Sequence, residues 1–186
     1  MAVFGADTVY GLGCDPECQT AVERLYELKG RSAERPAAVM FFALEAALRA
    51  LPELRARERE AIGALLPGPV TLLLPNRSRR FPLACVPDPG TVGLRVPLLG
   101  DSLKALGAVL SPILQSSANL SGDAEARRLT DVPPSLLEGA DLVLDAGELP
   151  GVASTVLDLR DYQHSGGWSV LREGALGIDA VERALR

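Results

Sequence analysis

A single histidine and three cysteines give this chain of 186 residues little with which to build the familiar catalytic centres. His164 stands in Q-H-S-G-G-W, a glycine-rich turn, and reads as a surface loop residue rather than the base of a serine–histidine pair. Cys14, Cys18 and Cys85 are an odd number and suggest no disulfide framework. The interval from Cys14 to Cys18 is wrong for C-x-x-C. With one distant histidine, the supply falls short of the roughly four ligands a zinc site takes. All three read as reduced thiols of a cytoplasmic protein.

Long apolar runs are missing as well, and none approaches the roughly 20 residues that cross a bilayer, so no membrane role is expected. No basic segment followed by an apolar one opens the chain, so nothing points to secretion. Basic residues do not dominate: 19 Lys and Arg stand against 24 Asp and Glu, a net charge of −5, which argues against a nucleic-acid coat. The clusters at Arg77, Arg79 and Arg80 and at Arg127 and Arg128 read as solvated faces or loops. Neither G-x-x-x-x-G-K-[ST] nor a G-x-G-x-x-G following a strand is present, which excludes two common nucleotide folds.

What is present is an alternation of short apolar runs and amphipathic segments. Val3-Phe4 reads as the tail of a strand, followed by D-T-V-Y-G-L-G as a glycine-bounded turn. Asp15-Pro16 suggests a helix cap with proline at the first helical position, and Val22, Leu25 and Leu28 follow at helical spacing. A strand is expected over Ala37 to Phe42 and a helix over Ala43 to Leu51, stopped at Pro52. A second, charge-rich helix ends at Leu66, where P-G-P breaks it. Strands are expected at Val70–Leu74, Val92–Val96 and Pro112–Gln115, with a helix capped by Asp101 between the last two. Asp141–Asp145, Ser154–Leu159 and Trp168–Arg172 complete the strands, and a helix over Ile178–Leu185 closes the chain. Strands interleaved with helices predict one α/β domain over residues 1–186, built on a twisted open mixed sheet flanked by helices. The chain opens inside what reads as its first strand, so its N-terminus is expected to be truncated or to start late.

Several polar groups lie at strand ends. K-G-R (residues 29–31) closes the first helix and Arg35 follows before Pro36. Cations at a helix C-terminus are worth about 0.3–1 kcal/mol through the macrodipole. Cations so closely spaced could equally clamp phosphates, arginine with its planar fork. Both explanations stand. Arg95 sits inside the apolar V-G-L-R-V-P, where it must meet an anion, reach solvent or snorkel. A structural salt bridge accounts for it as well as a substrate carboxylate does. Ser154 and Thr155 open S-T-V-L-D-L after a turn, where hydroxyls are usually local caps. Arg172 in L-R-E-G-A-L is, like Arg95, a cation at a strand end. Residues 116–122, S-S-A-N-L-S-G, place three hydroxyls, an amide and a glycine directly after an apolar run. Such a stretch is either a polar connection or a grip on a ligand rich in oxygen.

No one of these segments decides the function, but their order does. D-T-V-Y-G-L-G, K-G-R before R-P, L-P-G-P-V-T-L-L-L, V-G-L-R-V-P, S-S-A-N-L-S-G, S-T-V-L-D-L and L-R-E-G-A-L together resemble the YrdC-type threonylcarbamoyl-adenylate synthase family, from about residue 3 to residue 176. The resemblance implies a YrdC-like α/β sheet with a concave basic cavity. It also implies an enzyme, a nucleotidyltransferase that condenses L-threonine, bicarbonate and ATP to threonylcarbamoyl-AMP and pyrophosphate. Magnesium is expected on the phosphates. A downstream transferase complex would pass the threonylcarbamoyl group to adenosine in tRNA, and tRNA itself would bind weakly if at all.

By motif, the resemblance implies that Thr8, Tyr10, Arg95, Ser117 and Ser154 contact threonine. Lys29, Arg31, Arg35, Thr91, Asn119, Arg127 and Arg172 would contact ATP, with Lys29 and Arg31 positioning the phosphates. Three departures stand out: Gly5-Ala6 where many members have Pro-Thr, Met40 where many carry histidine, and Ser32 in place of a proline. The second domain of longer members is not expected. Two other functions fit the motifs less well: an RNA-binding paralogue without synthesis, and a carbamoyl-transfer domain.

Overall fold

Short apolar runs form nine strands in the computed structural model, which describes residues 1–32 and 34–186. The strands are β1 (Ala2–Gly5), β2 (Tyr10–Cys14), β3 (Ala38–Met40), β4 (Val70–Pro75), β5 (Thr91–Arg95), β6 (Ile113–Ser117), β7 (Leu142–Leu144), β8 (Thr155–Asp158) and β9 (Ser169–Arg172). They form one sheet in the order β7-β1-β2-β6-β3-β5-β4-β8-β9. Pairing is mixed. β1 runs parallel to β7, β3 to β5 and β4 to β8, and the remaining neighbours are antiparallel. The helices are α1 (Gln19–Leu28), α2 (Leu44–Ala50), α3 (Ala56–Leu65), α4 (Pro134–Glu138), α5 (Tyr162–Ser165) and α6 (Ile178–Ala184). The expected α/β class with a mixed, helix-flanked sheet is what the chain adopts.

Alternation sorts the strands into two faces. Leu72 and Leu74 of β4, Val92 and Leu94 of β5, and Leu114 of β6 join Leu25 of α1 and Ile62 and Leu65 of α3 in one buried cluster. Thr71 and Leu73, Thr91, Gly93 and Arg95, and Gln115 and Ser117 occupy the intervening positions and line a hollow. One set of side chains therefore builds the core, and the other leaves a cavity. A second, smaller apolar cluster gathers Phe4, Ala6, Met40 and Phe42. Two of the departures from the family pattern, Ala6 and Met40, thus meet inside the same patch of packing.

Three local expectations differ from the structure. D-T-V-Y-G-L-G is not a single turn, because Tyr10–Cys14 is a strand paired on both sides, with Gly5 opposite Tyr10 and Gly11 opposite Ser117. Its glycines are there for clearance. A Cβ on Gly11 would stand 2.9 Å from Gln115 Nε2, and one on Gly13 3.1 Å from Ile113 Cδ1. Asp15 caps no helix: α1 starts at Gln19 behind Cys18, while Asp15 Oδ1 accepts the Glu17 amide at 2.8 Å in the preceding turn. Asp101–Ala108 is a 3-10 helix with Gly100, not Asp101, at its N-cap. Only Leu103 of that segment is buried, so it offers no broad apolar face to support α-helical packing.

Beyond β9 the backbone passes tightly against residues 153–155. A Cβ on Gly174 would lie 2.3 Å from Ala153 O and 2.6 Å from Thr155 N, and neither backbone atom can swing aside. Gly174→Ala is therefore expected to lower the unfolding free energy by about 1–3 kcal/mol, the usual cost of forced overpacking. Urea denaturation measures it, and an unchanged midpoint would contradict the close approach.

Candidate functional site

The hollow on the polar face of the sheet has a volume of about 390 Å³, within the range of small-molecule sites. β4, β5 and β6 supply its floor, and Ala153, Ser154, Val156 and Arg172 close one side. Residues 84–88, Pro36 and Arg31 close the other. Four arginines (31, 95, 160 and 172) and two acidic residues (Asp88 and Glu125) reach it.

Arg95 is brought in by β5 and buried to 3% exposure. Its Nη2 donates to Asp7 Oδ1 and to Thr8 Oγ1, each at 2.6 Å. The salt bridge expected as the structural explanation therefore exists, with Asp7 as the anion. It does not saturate the guanidinium, because Nε is buried without a hydrogen-bond partner. Arg31, just past α1, donates from Nη1 to Ser116 Oγ at 3.1 Å and from Nη2 to the Pro36 carbonyl at 2.7 Å. Its Nε is likewise buried and unpartnered. Arg172 donates to the Ser154 carbonyl from Nε at 3.1 Å and from Nη2 at 2.9 Å, so it fixes the residue that leads into β8. Ser154 Oγ in turn lies 2.9 Å from Thr71 Oγ1.

S-S-A-N-L-S-G is held from behind by a buried lysine. Lys29 Nζ donates to the Ser117 carbonyl, to the Asn119 carbonyl at 2.5 Å and to Asn119 Oδ1 at 3.4 Å. Ser117 Oγ donates to Asn119 Oδ1 at 2.5 Å, and the Asn119 amide donates to the Asp123 carbonyl at 2.7 Å. Burial first, and then the neighbouring Arg31, push the lysine ammonium down to about 8, while Glu125 works in the opposite direction. The stretch is thus a rigid bend rather than a loose connection.

Of the twelve residues expected at the site, Arg31, Thr91, Arg95, Ser117, Ser154 and Arg172 line the hollow together. Thr8 lies directly behind Arg95, and Lys29 and Asn119 lie within the supporting bend. Three are placed otherwise. The Tyr10 hydroxyl donates to Asp145 Oδ1 at 2.7 Å and ties β2 to the turn at Asp145–Gly147. Arg35 is exposed, with its carbonyl accepting from the Tyr26 hydroxyl at 2.7 Å. Arg127 is exposed and paired with Glu148 at 3.0 Å.

Sequence reasoning missed Thr71, Ser116, Asp88, Glu125 and Arg160, which also line the hollow. Thr71 could have been found, since it alternates with Leu72 and Leu74. The other four carry no periodic signal. Met40, one of the departures from the family pattern, is fully buried in the smaller apolar cluster. Among the described residues, no group of three or more His, Cys, Asp or Glu stands ready to hold a metal. Among the described residues, no helix is long and apolar enough to cross a membrane either. Burial pushes the thiols of Cys14 and Cys85 up to about 11.

Five side-chain polar atoms among the described residues are buried without a hydrogen-bond partner. Two belong to Glu53. The other three, Arg31 Nε, Arg95 Nε and Glu125 Oε2, belong to residues that line this hollow. Orphaned buried polar atoms are rare in folded proteins, and three of these five belong to the lining of one cavity. Two of them are cationic donors, one just past α1 and one on β5.

A family model, Sua5_yciO_yrdC, described as "Telomere recombination", matches residues 1–174. A threonylcarbamoyl-AMP synthase of Pyrococcus abyssi is 32% identical over all of this chain and 53% of its own length. A threonylcarbamoyl-AMP synthase of Stenotrophomonas maltophilia is 34% identical over 82% of each chain. In three dimensions the chain resembles the crystal structure of P. abyssi Sua5 complexed with L-threonine. The TM-score is 0.81 at 30% identity, over 98% of this chain and 53% of that one. The chain thus spans about half the length of the archaeal relative.

Proposed function

The chain belongs to the Sua5/YciO/YrdC family, and from that premise we propose that it is a threonylcarbamoyl-AMP synthase acting on L-threonine, bicarbonate and ATP. Bicarbonate carboxylates the threonine amine with loss of water, giving a carbamate. A carbamate oxygen then bonds to the α-phosphorus of ATP as the bond to the leaving pyrophosphate breaks. Chemistry of this kind needs alignment and charge neutralisation more than it needs a protein nucleophile.

One observation carries the proposal: two arginines, Arg31 just past α1 and Arg95 on β5, line one cavity, and each keeps a buried Nε–H without a partner. They suit two anions held side by side, a polyphosphate and an amino-acid carboxylate. In this function Arg95, backed by Thr8 and Asp7, takes the threonine carboxylate. Ser154 and Ser117 address the remainder of the amino acid. Arg31, Thr91 and Arg172 face the nucleotide, and Lys29 with Asn119 keeps the bend between the two ligands in shape. Tyr10, Arg35 and Arg127 act at most by bracing neighbouring loops. Magnesium bound with ATP would neutralise phosphate charge, and the Glu125 carboxylate in the lining is a hard oxygen ligand of the kind it takes. The product would pass in the cytoplasm to an enzyme complex that modifies adenosine in tRNA.

Titration calorimetry with ATP and with L-threonine tests the assignment, followed by pyrophosphate release on addition of bicarbonate. Saturable heats for both ligands are expected. RNA binding with no heat from either small molecule would replace the synthase by an RNA-binding module.

A further inference from the structure

Glu125 is the group in the hollow that anion binding does not explain. It follows the S-S-A-N-L-S-G bend and lines the same cavity as Arg31 and Ser117. Its Oε2 is inaccessible to solvent and accepts no hydrogen bond. The second acidic residue of the cavity is already engaged: Asp88 Oδ2 accepts from the Thr91 hydroxyl at 2.6 Å, and Oδ1 from the Gly90 amide at 2.9 Å. Glu125 belongs to the segment that leaves the bend held by Lys29, whose Nζ donates to the Asn119 carbonyl while the Asn119 amide donates to the Asp123 carbonyl.

A bare carboxylate beside a polyphosphate site is unfavourable in itself. Two anions in a partly dry cavity repel, and a buried acceptor without a donor carries its full desolvation cost. A hard divalent cation between carboxylate and phosphate oxygens removes both penalties at once. Magnesium is commonly held in this way, by one or two carboxylates together with substrate phosphates. Taking the synthase function as given, we propose that Glu125 is the protein ligand for the divalent cation that enters with ATP, so that the site selects the metal-bound nucleotide over free ATP.

The test compares ATP binding by the full chain and by Glu125→Gln, each with excess magnesium and with EDTA, by calorimetry. Gln keeps the shape of the side chain and removes its charge. The unaltered protein is expected to bind ATP more tightly with magnesium. In Glu125→Gln that preference falls by about tenfold, the scale on which disturbing a metal site lowers affinity. Affinity for metal-free ATP stays level or improves, because the repulsion is gone. A purely structural role for Glu125 would weaken both forms alike. Manganese gives a second readout, since its electron paramagnetic resonance spectrum in the presence of a non-hydrolysable ATP analogue should change between the unaltered protein and Glu125→Gln as a ligand is lost.

Retention of the full magnesium preference by Glu125→Gln would overturn the proposal. So would a loss confined to threonine affinity, which would make Glu125 the acceptor for the threonine ammonium. If the unaltered protein binds ATP and releases pyrophosphate but shows no preference for the metal form, only the Glu125 assignment fails. If it binds no ATP in either form, the synthase function fails with it.

Discussion

Arg95→Ala is expected to reduce threonine-dependent pyrophosphate release by roughly a hundredfold or more, because losing one partner of a buried charged contact costs about 3–5 kcal/mol. The same substitution also harms the fold. Asp7, whose side chain is 7% exposed, would lose its guanidinium partner and keep an uncompensated charge. Activity and stability must therefore be separated. Asp7→Asn removes that charge while its oxygen can still accept the Leu98 amide, now bonded to Asp7 Oδ2 at 3.1 Å. The double variant Arg95→Ala, Asp7→Asn should regain most of the lost thermal stability and none of the threonine dependence. If the double variant turned over threonine normally, Arg95 would be a structural partner of Asp7 and nothing more.

Lys29→Met should be nearly as damaging, by a different route. The lysine is 2% exposed, and its donors go to the chain at Ser117 and Asn119. It therefore acts on ATP chiefly through the bend it holds. Each buried carbonyl left without a donor costs about 1–3 kcal/mol, and the bend should loosen, with ATP affinity falling about tenfold or more. A pH series identifies the cause. Burial lowers the folded-state value to about 8 from the ordinary 10.5, so between these values the unfolded chain holds a proton that the folded chain has released. Stability from this group is accordingly lowest below pH 8 and rises with pH towards 10.5. Wild type should gain on Lys29→Met across that window in chemical unfolding. Parallel profiles would mean that the amine is not held in a desolvated site.

The fold was legible where period and composition agreed. Val92 and Leu94 alternate with Thr91, Gly93 and Arg95, Val70–Pro75 is a short apolar run, and α1 and α3 carry apolar residues at helical spacing. It was illegible where glycine has two meanings. Gly11 and Gly13 read locally as turn formers, yet they sit mid-strand because Gln115 and Ile113, a hundred residues away in sequence, press against them. The short helices α4 and α5 depend on tertiary contact and leave little local signal. At the site, motif order pointed to the residues but not to their atoms. Nothing local states that Asp7 already holds part of Arg95, or that Lys29 faces the chain. Glu125 and Arg160 lie outside every motif, and only the assembled fold brings the loops that carry them to the cavity.

Incubation with ATP, L-threonine and carbon-13 bicarbonate, with products resolved by mass spectrometry, tests the central claim most directly. One cavity holding all three reactants predicts a threonylcarbamoyl-adenylate that carries a single heavy carbon, formed in step with pyrophosphate and only when every reactant is present. An unlabelled threonyl-adenylate, or pyrophosphate released without threonine, would contradict it.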